Sequence, residues 1–359
     1  MTSYSEFVSP GHPDKVADYI SEYILDRYVE IDPDVRYAVE VLIKGEMVVL
    51  AGEVTSTTHF TDDEYRDFVV KALGEIGYTE EYYKAWGDNV INPSRLEVVI
   101  NISAQSPEIS QGVNADGWGD QGIFFGYAFP DGDLSLMPLS HAYAKSLCHY
   151  LYMQAKNDGV GGLDIKTEII MDGDVIKKIV AAVPCRDEAE YRTVVFAIAT
   201  WYKSIEDQPK ELPELILNGT GSYQMHGPTA DSGVTGRKLA VDFYGGCGQI
   251  GGGSPWTKDA SKADLSLNLM AREMAVACAK KVRIPVKVEL ACCIGKSIVD
   301  YQITRLRGGG VLKAGQVNVG PKELKARFGL DKPIFASMCL FGLFGEFQKD
   351  KKWENKIGV

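Results

Sequence analysis

The chain has no long run of lysine and arginine, no C-x-x-C pair, no G-x-x-x-x-G-K-[ST] loop and no stretch of eighteen uninterrupted apolar residues. Each absence excludes a class. Without clustered positive charge, neither nucleic acid nor an anionic membrane is expected as the main partner. Without paired cysteine spacing, the seven cysteines, an odd number, read as reduced core residues and not as zinc ligands or a disulfide frame. Without a Walker loop, any phosphate site must be built another way. Without a long apolar segment, or a basic stretch and apolar core at the N-terminus, the reading is a soluble, cytoplasmic protein.

What is present is an acidic, apolar-rich chain of 359 residues with 49 acidic and 38 basic side chains and 45% hydrophobic residues. That composition excludes disorder and suffices for two or three domains. A net charge of −11 still permits a polyanionic small substrate, because screening over about 10 Å lets a local cluster of cations act alone.

The apolar spacing predicts a helix over 14–30, begun by Pro13, then strands over 35–43 and 47–54 joined at Lys44-Gly45-Glu46, then a helix over 62–76 stopped by Gly77. The order returns with a helix at about 139–156, strands 165–171 and 175–183 across Asp172-Gly173-Asp174, and a helix at about 187–203. It returns again with a helix near 260–281, strands 286–294 and 297–304 across Gly295-Lys296, and a short helix from Pro321. The turn glycines Gly45, Gly173 and Gly295 lie 128 and 122 residues apart, about one third of the chain. The expectation is an α+β fold of three similar domains, each an antiparallel or mixed sheet covered by helices on one face, divided at 1–102, 103–222 and 223–359, with strands exchanged between repeats allowed.

Several residues do not fit a packing role. Glu40 and Glu53 sit within strand sequences that call for burial, where an unpaired carboxylate costs several kcal/mol. They read either as ion-paired or outward-facing residues, or as a site for a cation. Gly11-His12-Pro13-Asp14-Lys15 sets an imidazole, a carboxylate and an ammonium at a helix start, which serves as a cap or attracts phosphate. Asp120 and Asp231 stand in glycine-flanked loops. Arg237-Lys238 opens LAVDFY, read as an apolar strand. A glycine run over 245–253 then leads to Lys258, Asp259, Lys262 and Asp264, with the two lysines spaced to share a helix face. Backbone N–H groups, lysines and an aspartate in one stretch suit a phosphate and its Mg2+, although a linker followed by a solvated helix has the same composition.

Taken together, Gly11-His12-Pro13-Asp14-Lys15, Gly52-Glu53-Val54-Thr55, Gln105-Ser106-Pro107, Gln111-Gly112-Val113, Gly119-Asp120-Gln121-Gly122, Asp231-Ser232-Gly233-Val234-Thr235-Gly236-Arg237-Lys238, Gly251-Gly252-Gly253 and Lys258-Asp259 resemble the motifs of S-adenosylmethionine synthetases, in the family's order. The resemblance implies three α+β domains about a pseudo-threefold, active sites shared between subunits, and synthesis of S-adenosylmethionine from ATP and L-methionine with cleavage of the tripolyphosphate. It implies a homodimer at least, with a homotetramer open. It also implies His12, Lys15, Arg237, Lys238 and Lys258 as catalytic and phosphate-binding residues, with Asp164, Lys166, Ser222, Tyr223, Asp231 and Ser254 around ATP. Glu53, Gln105, Asp120, Asp231 and Lys262 are implied around methionine. Asp14 and Asp264 would ligate two Mg2+ per site, and Glu40 a K+. Ser222-Tyr223 stands where the family usually has Arg-Phe, and Leu265 where it usually has Arg. Only Asn114 to Trp118 separate two motifs usually bridged by a longer loop, and the C-terminal part reads short. A non-catalytic ATP binder and a tripolyphosphatase rank below the enzyme, because both the phosphate set and the methionine set are present.

Overall fold

The computed structural model describes residues 2–104, 117–133 and 135–355; Gln105, the Gln111-Gly112-Val113 motif and residues 114–116 lie outside them. In chain order the main elements are β1 (Thr2–Val8), α1 (Pro13–Ile31), β2 (Arg36–Lys44), β3 (Met47–Thr55), α2 (Asp62–Ile76), α3 (Glu80–Trp86), β4 (Glu97–Ser103) and β5 (Gly122–Ala128). They continue as α4 (Leu139–Met153), β6 (Lys166–Asp172), β7 (Val175–Ala182), α5 (Glu188–Lys203), β8 (Glu214–Leu217), β9 (Gly233–Val234) and α6 (Leu239–Asp242). The last are α7 (Ala263–Val282), β10 (Val286–Cys292), β11 (Ile298–Arg305), β12 (Val311–Asn318), α8 (Pro321–Phe328), α9 (Phe335–Cys339) and α10 (Lys352–Asn355).

The three expected hairpins are β2–β3, β6–β7 and β10–β11, all antiparallel. Their glycines Gly45, Gly173 and Gly295 take φ of 56°, 57° and 71°, the left-handed conformation that tight connections require and that only glycine adopts cheaply. Around the hairpins stand three four-stranded sheets, ordered β4-β3-β2-β9, β1-β6-β7-β8 and β12-β11-β10-β5. Two are mixed, because β3–β4 and β7–β8 run parallel, and the third is antiparallel throughout. Helices α1 and α2, α4 and α5, and α7 each pack with one of the three sheet regions, so the fold class is α+β as expected.

Each sheet takes an edge strand from another part of the chain. Thr2–Val8 pairs with β6 from Thr2 opposite Asp172 to Val8 opposite Lys166. Gly122–Ala128 pairs with β10, and Gly233–Val234 with Leu42 and Ile43 of β2.

Two local expectations are corrected. LAVDFY is not a strand: its first four residues form α6, and Asp242 is buried there against Lys15 and Trp256. A short apolar run does not distinguish strand from buried helix, and the buried ion pair decides it. Lys258 and Lys262 do not share a helix face, since α7 starts at Ala263 with Lys262 as its N-cap. The Asp259 carboxylate instead captures the N–H groups of Tyr37 and Ser261, holding this stretch as a turn against β2. Of the readings open for Glu40 and Glu53, the outward-facing one matches the strands: the alternation of β2 and β3 puts Tyr37, Val39, Val41 and Ile43 inward and both glutamates on the outward face.

Cys148, Cys185, Cys292 and Cys339 are buried, Cys247 and Cys278 intermediate and Cys293 exposed, all as free thiols. Leu265 is fully buried in α7, which leaves no room for a charge there. Trp118 is also fully buried, its indole N–H donating to the Val319 carbonyl at 3.2 Å. The end of the short 114–118 segment is therefore anchored in the core. No helix among the described residues is long and apolar enough to cross a membrane.

Candidate active site

His12 caps α1, with Nδ1 accepting the backbone N–H of Asp14 at 3.1 Å. Burial, joined by the nearby Lys238 and Lys166, pushes its pKa down to about 3 against the opposing pull of Asp14. The imidazole is thus neutral, and because Nδ1 is the acceptor the proton sits on Nε2, leaving one neutral N–H donor. Asp14 follows on the first turn. Burial favours its neutral form, but Lys238 Nζ at 2.5 Å and the Val234 N–H at 3.0 Å prevail and hold its carboxyl below the usual range. Arg237 approaches the same carboxylate at 3.7 Å and is otherwise exposed. His12, Asp14, Lys166, Arg237 and Lys238 therefore form one charged group at the N-terminus of a long helix.

Asp164 adjoins it. The carboxyl is buried, Oδ2 accepts the Gly227 N–H at 3.1 Å, and Oδ1 has no partner. Burial raises its pKa despite Lys166. Tyr223 donates to the Asp164 carbonyl at 3.2 Å, with its ring half-buried beside His226; Ser222 and Asp231 are exposed.

A second group lies along the edge of β2. Ala38 is paired with Glu53 on one side and bridged to Lys258 on the other. Lys258 forms an ion pair with Asp264 in the first turn of α7, and a Cβ on Gly253 would collide with that carboxylate and displace it. Lys262 Nζ meets Asp259 at 3.0 Å. Glu40 accepts from the hydroxyls of Thr235 and Thr257. Asp120 and Asp264 are both near enough to Cys292 to add to the burial that pushes its thiol up to about 11. The segment 233–236 joins the groups: Val234 donates to Asp14, Thr235 to Glu40, and Gly236 lies against Ser254.

Lys15 departs from its expected place on the phosphates. Its ammonium is 2% exposed, bonded to Asp18 at 3.0 Å and to both oxygens of Asp242 at 2.8 Å, and 4.7 Å from the Trp256 ring centroid. A buried lysine must be paired, and this one braces α1 against α6.

Sequence reading also missed a row of acids on α1. Asp14, Asp18, Glu22 and Asp26 recur every four residues and so line one face. Each accepts a backbone N–H from a distant part of the chain: Val234 at 3.0 Å, Gly236 at 2.8 Å, Thr257 at 2.5 Å, and Phe335 and Ala336 at 2.9 and 3.0 Å. The signal was available as carboxylates at a helical spacing inside an otherwise buried helix. Thr257 is also a β-branched residue at φ 71°, a conformation costing about 1–3 kcal/mol and found where the surroundings impose it.

A pH prediction follows from the imidazoles. His12 and His226, with pKa values lowered to about 3 and about 4, and His141, lowered well below 6.5, are held neutral chiefly by burial. Their contribution to stability is complete above the unfolded value near 6.5 and is lost as pH falls toward about 3–4. In a nitrogen-15 NMR titration His12 should keep its Nε2–H signature down to about pH 5; a midpoint near 6.5 would refute this.

A family model described as the S-adenosylmethionine synthetase N-terminal domain matches residues 1–107, and one described as its C-terminal domain matches 225–355. The S-adenosylmethionine synthase 1 of Rhodopseudomonas palustris (strain BisB18) is 33% identical, the alignment covering 98% of this chain and 94% of that protein. The S-adenosylmethionine synthase of Acholeplasma laidlawii (strain PG-8A) is 31% identical over 98% and 95%. A solved structure described as an unusual S-adenosylmethionine synthetase from Campylobacter jejuni superposes with a TM-score of 0.86 at 30% identity, covering 99% of this chain and 96% of that one. With both ends matched and relatives aligned along nearly the whole length, the chain belongs to the S-adenosylmethionine synthetase family of enzymes.

Proposed function

We propose that the protein makes S-adenosylmethionine from ATP and L-methionine by attack of the methionine sulfur on C5′ of ATP. The C5′–oxygen bond breaks as the sulfur–carbon bond forms, and the tripolyphosphate that leaves is hydrolysed to pyrophosphate and phosphate. The observation that carries this reading is the neutral, Nε2-protonated His12 set among Lys166, Arg237 and Lys238. A thioether cannot be activated by deprotonation, so the enzyme has to orient it in line and stabilise charge on the leaving group. His12 has the donor to bond the oxygen leaving C5′ without contributing or withdrawing a proton.

In this reading Arg237, Lys238 and Lys258 hold the phosphates and Lys166 lies toward the nucleotide. The unpaired Asp164 Oδ1 accepts a ribose hydroxyl, and Tyr223 offers a stacking surface for adenine, while Ser222 brings no charge. Glu53, Asp120, Asp231 and Lys262 surround methionine.

Asp14 and Asp264 would hold Mg2+. Each carboxylate faces a lysine, and among the described residues no three His, Cys, Asp or Glu side chains form a cluster that could hold a metal. This fits an ion that takes one or two carboxylates and completes its shell with phosphates and water. When bound it would offset charge on the departing tripolyphosphate. Glu40, with two threonine hydroxyls beside it, suits K+.

A homodimer at minimum fits the outward face that carries Glu40 and Glu53, which also exposes Leu42, Met47 and Val99. Sedimentation should give at least two chain masses; a fully active single chain would overturn the shared site. The reaction itself is tested by incubating the protein with ATP, L-methionine, Mg2+ and K+. Mass spectrometry should find S-adenosylmethionine, and phosphorus NMR pyrophosphate and phosphate in equal amounts. Intact ATP, or phosphates released without S-adenosylmethionine, would refute the assignment.

A further inference from the structure

Among the four acids of α1, Glu22 does something the others do not. Its carboxyl is buried, and among the described residues no ion pair is formed by it; Oε1 accepts the Thr257 N–H at 2.5 Å and Oε2 has no partner. Burial raises its pKa well above the usual carboxylate value, so the group acts as an acceptor and not as a countercharge.

The residue it holds is fixed on both sides. Trp256 donates its indole N–H to Asp242 at 2.8 Å, and on the other side Lys258 bridges to Ala38 while Asp259 donates its N–H to the Tyr37 carbonyl at 3.2 Å. Thr257 must join these anchors, and it does so at φ 71° with its side chain 1% exposed and its hydroxyl on Glu40 at 3.1 Å. A threonine in that region relaxes toward an extended or helical backbone unless something holds it. Relaxation would rotate the next residue, Lys258, away from Asp264.

We propose that Glu22 is a positioning residue for the transfer reaction: through the N–H of Thr257 it holds a β-branched residue in the left-handed conformation and so keeps Lys258 beside Asp264. The inference rests on the reaction proposed above and adds a residue that touches neither substrate. It explains why a carboxyl that forms no ion pair among the described residues is kept in the core.

The test uses the full-length protein. Glu22→Met keeps the side-chain volume and removes the acceptor, whereas Glu22→Gln keeps an oxygen for the same N–H. With S-adenosylmethionine formation as the readout, Glu22→Met should lower kcat about 10-fold or more with KM for methionine within about threefold, because Lys258 acts on charge that develops in the transition state. Glu22→Gln should stay within about threefold of wild type.

Wild-type kcat in Glu22→Met, or a folded Glu22→Gln as slow as Glu22→Met, would overturn the proposal. Hydrogen exchange at the Thr257 amide reads the clamp apart from the chemistry. It should be slow in wild type and Glu22→Gln and fast in Glu22→Met, and equal rates in all three would overturn it. A wild type that forms no product, but shows this exchange pattern, would refute the reaction and leave the clamp standing.

Discussion

Lys258→Ala should lower the single-turnover rate of S-adenosylmethionine formation about 10²–10³-fold, and Asp264→Asn should have an effect of similar size. The two side chains form one ion pair at the start of α7, each partly open to solvent. Neither is a core residue, so stability should change little. In the proposed reaction Lys258 meets phosphate directly and Asp264 holds the divalent ion, so both act on charge that appears only as the C5′–oxygen bond breaks. The loss should therefore fall on the chemical step and persist at saturating ATP and methionine. Single-turnover rapid quench separates it from product release, and near-wild-type rates in either variant would remove that residue from the mechanism.

The second large effect is on stability. Glu354→Ala should cost about 3–5 kcal/mol, seen as a lower urea midpoint with unchanged slope. Arg272 lies fully buried in α7 and donates to Glu354 at 2.7 and 3.1 Å, to the Tyr127 carbonyl at 2.6 Å and to the Ser135 carbonyl at 2.6 Å. Removing the carboxylate strands a charge where water cannot reach it. Exchanging both partners for apolar residues, as in Arg272→Met/Glu354→Leu, should recover much of the loss, because such pairs often return little more than their desolvation costs. A single variant within about 1 kcal/mol of wild type would show that the guanidinium finds other partners.

The legible parts of this chain were those whose cause is local. The three hairpins and their turn glycines follow from period-2 alternation and backbone conformation, and α1 and α2 from apolar spacing with Pro13 and Gly77 as punctuation. The charged motifs also stood out, because glycines and ions in apolar surroundings have few packing roles. Where reading stopped, a partner far along the chain decided the outcome. Lys15 turns inward because Asp242 lies 227 positions away in sequence. LAVDFY is helical because that aspartate is needed there. Glu22 gains a role only when Thr257, 235 positions on, arrives beneath it. The seven residues of α3 are too few for helical periodicity to register, and the two residues of β9 carry no signal at all.

The exchange of edge strands bears on how the protein is made. During synthesis β1 has no sheet to join until β6 has followed it, about 160 residues later, and β2 waits still longer for the edge strand at Gly233–Val234. β5 must likewise wait for β10. Contacts so distant in sequence make folding slow and leave early strands unpaired during synthesis. Each sheet needs a strand from far along the chain, so a ribosome stalled midway would hold an incomplete and sticky intermediate. The third sheet is deferred until β10, β11 and β12 emerge, and the nascent chain depends on whatever shields the open edge of β5 until then.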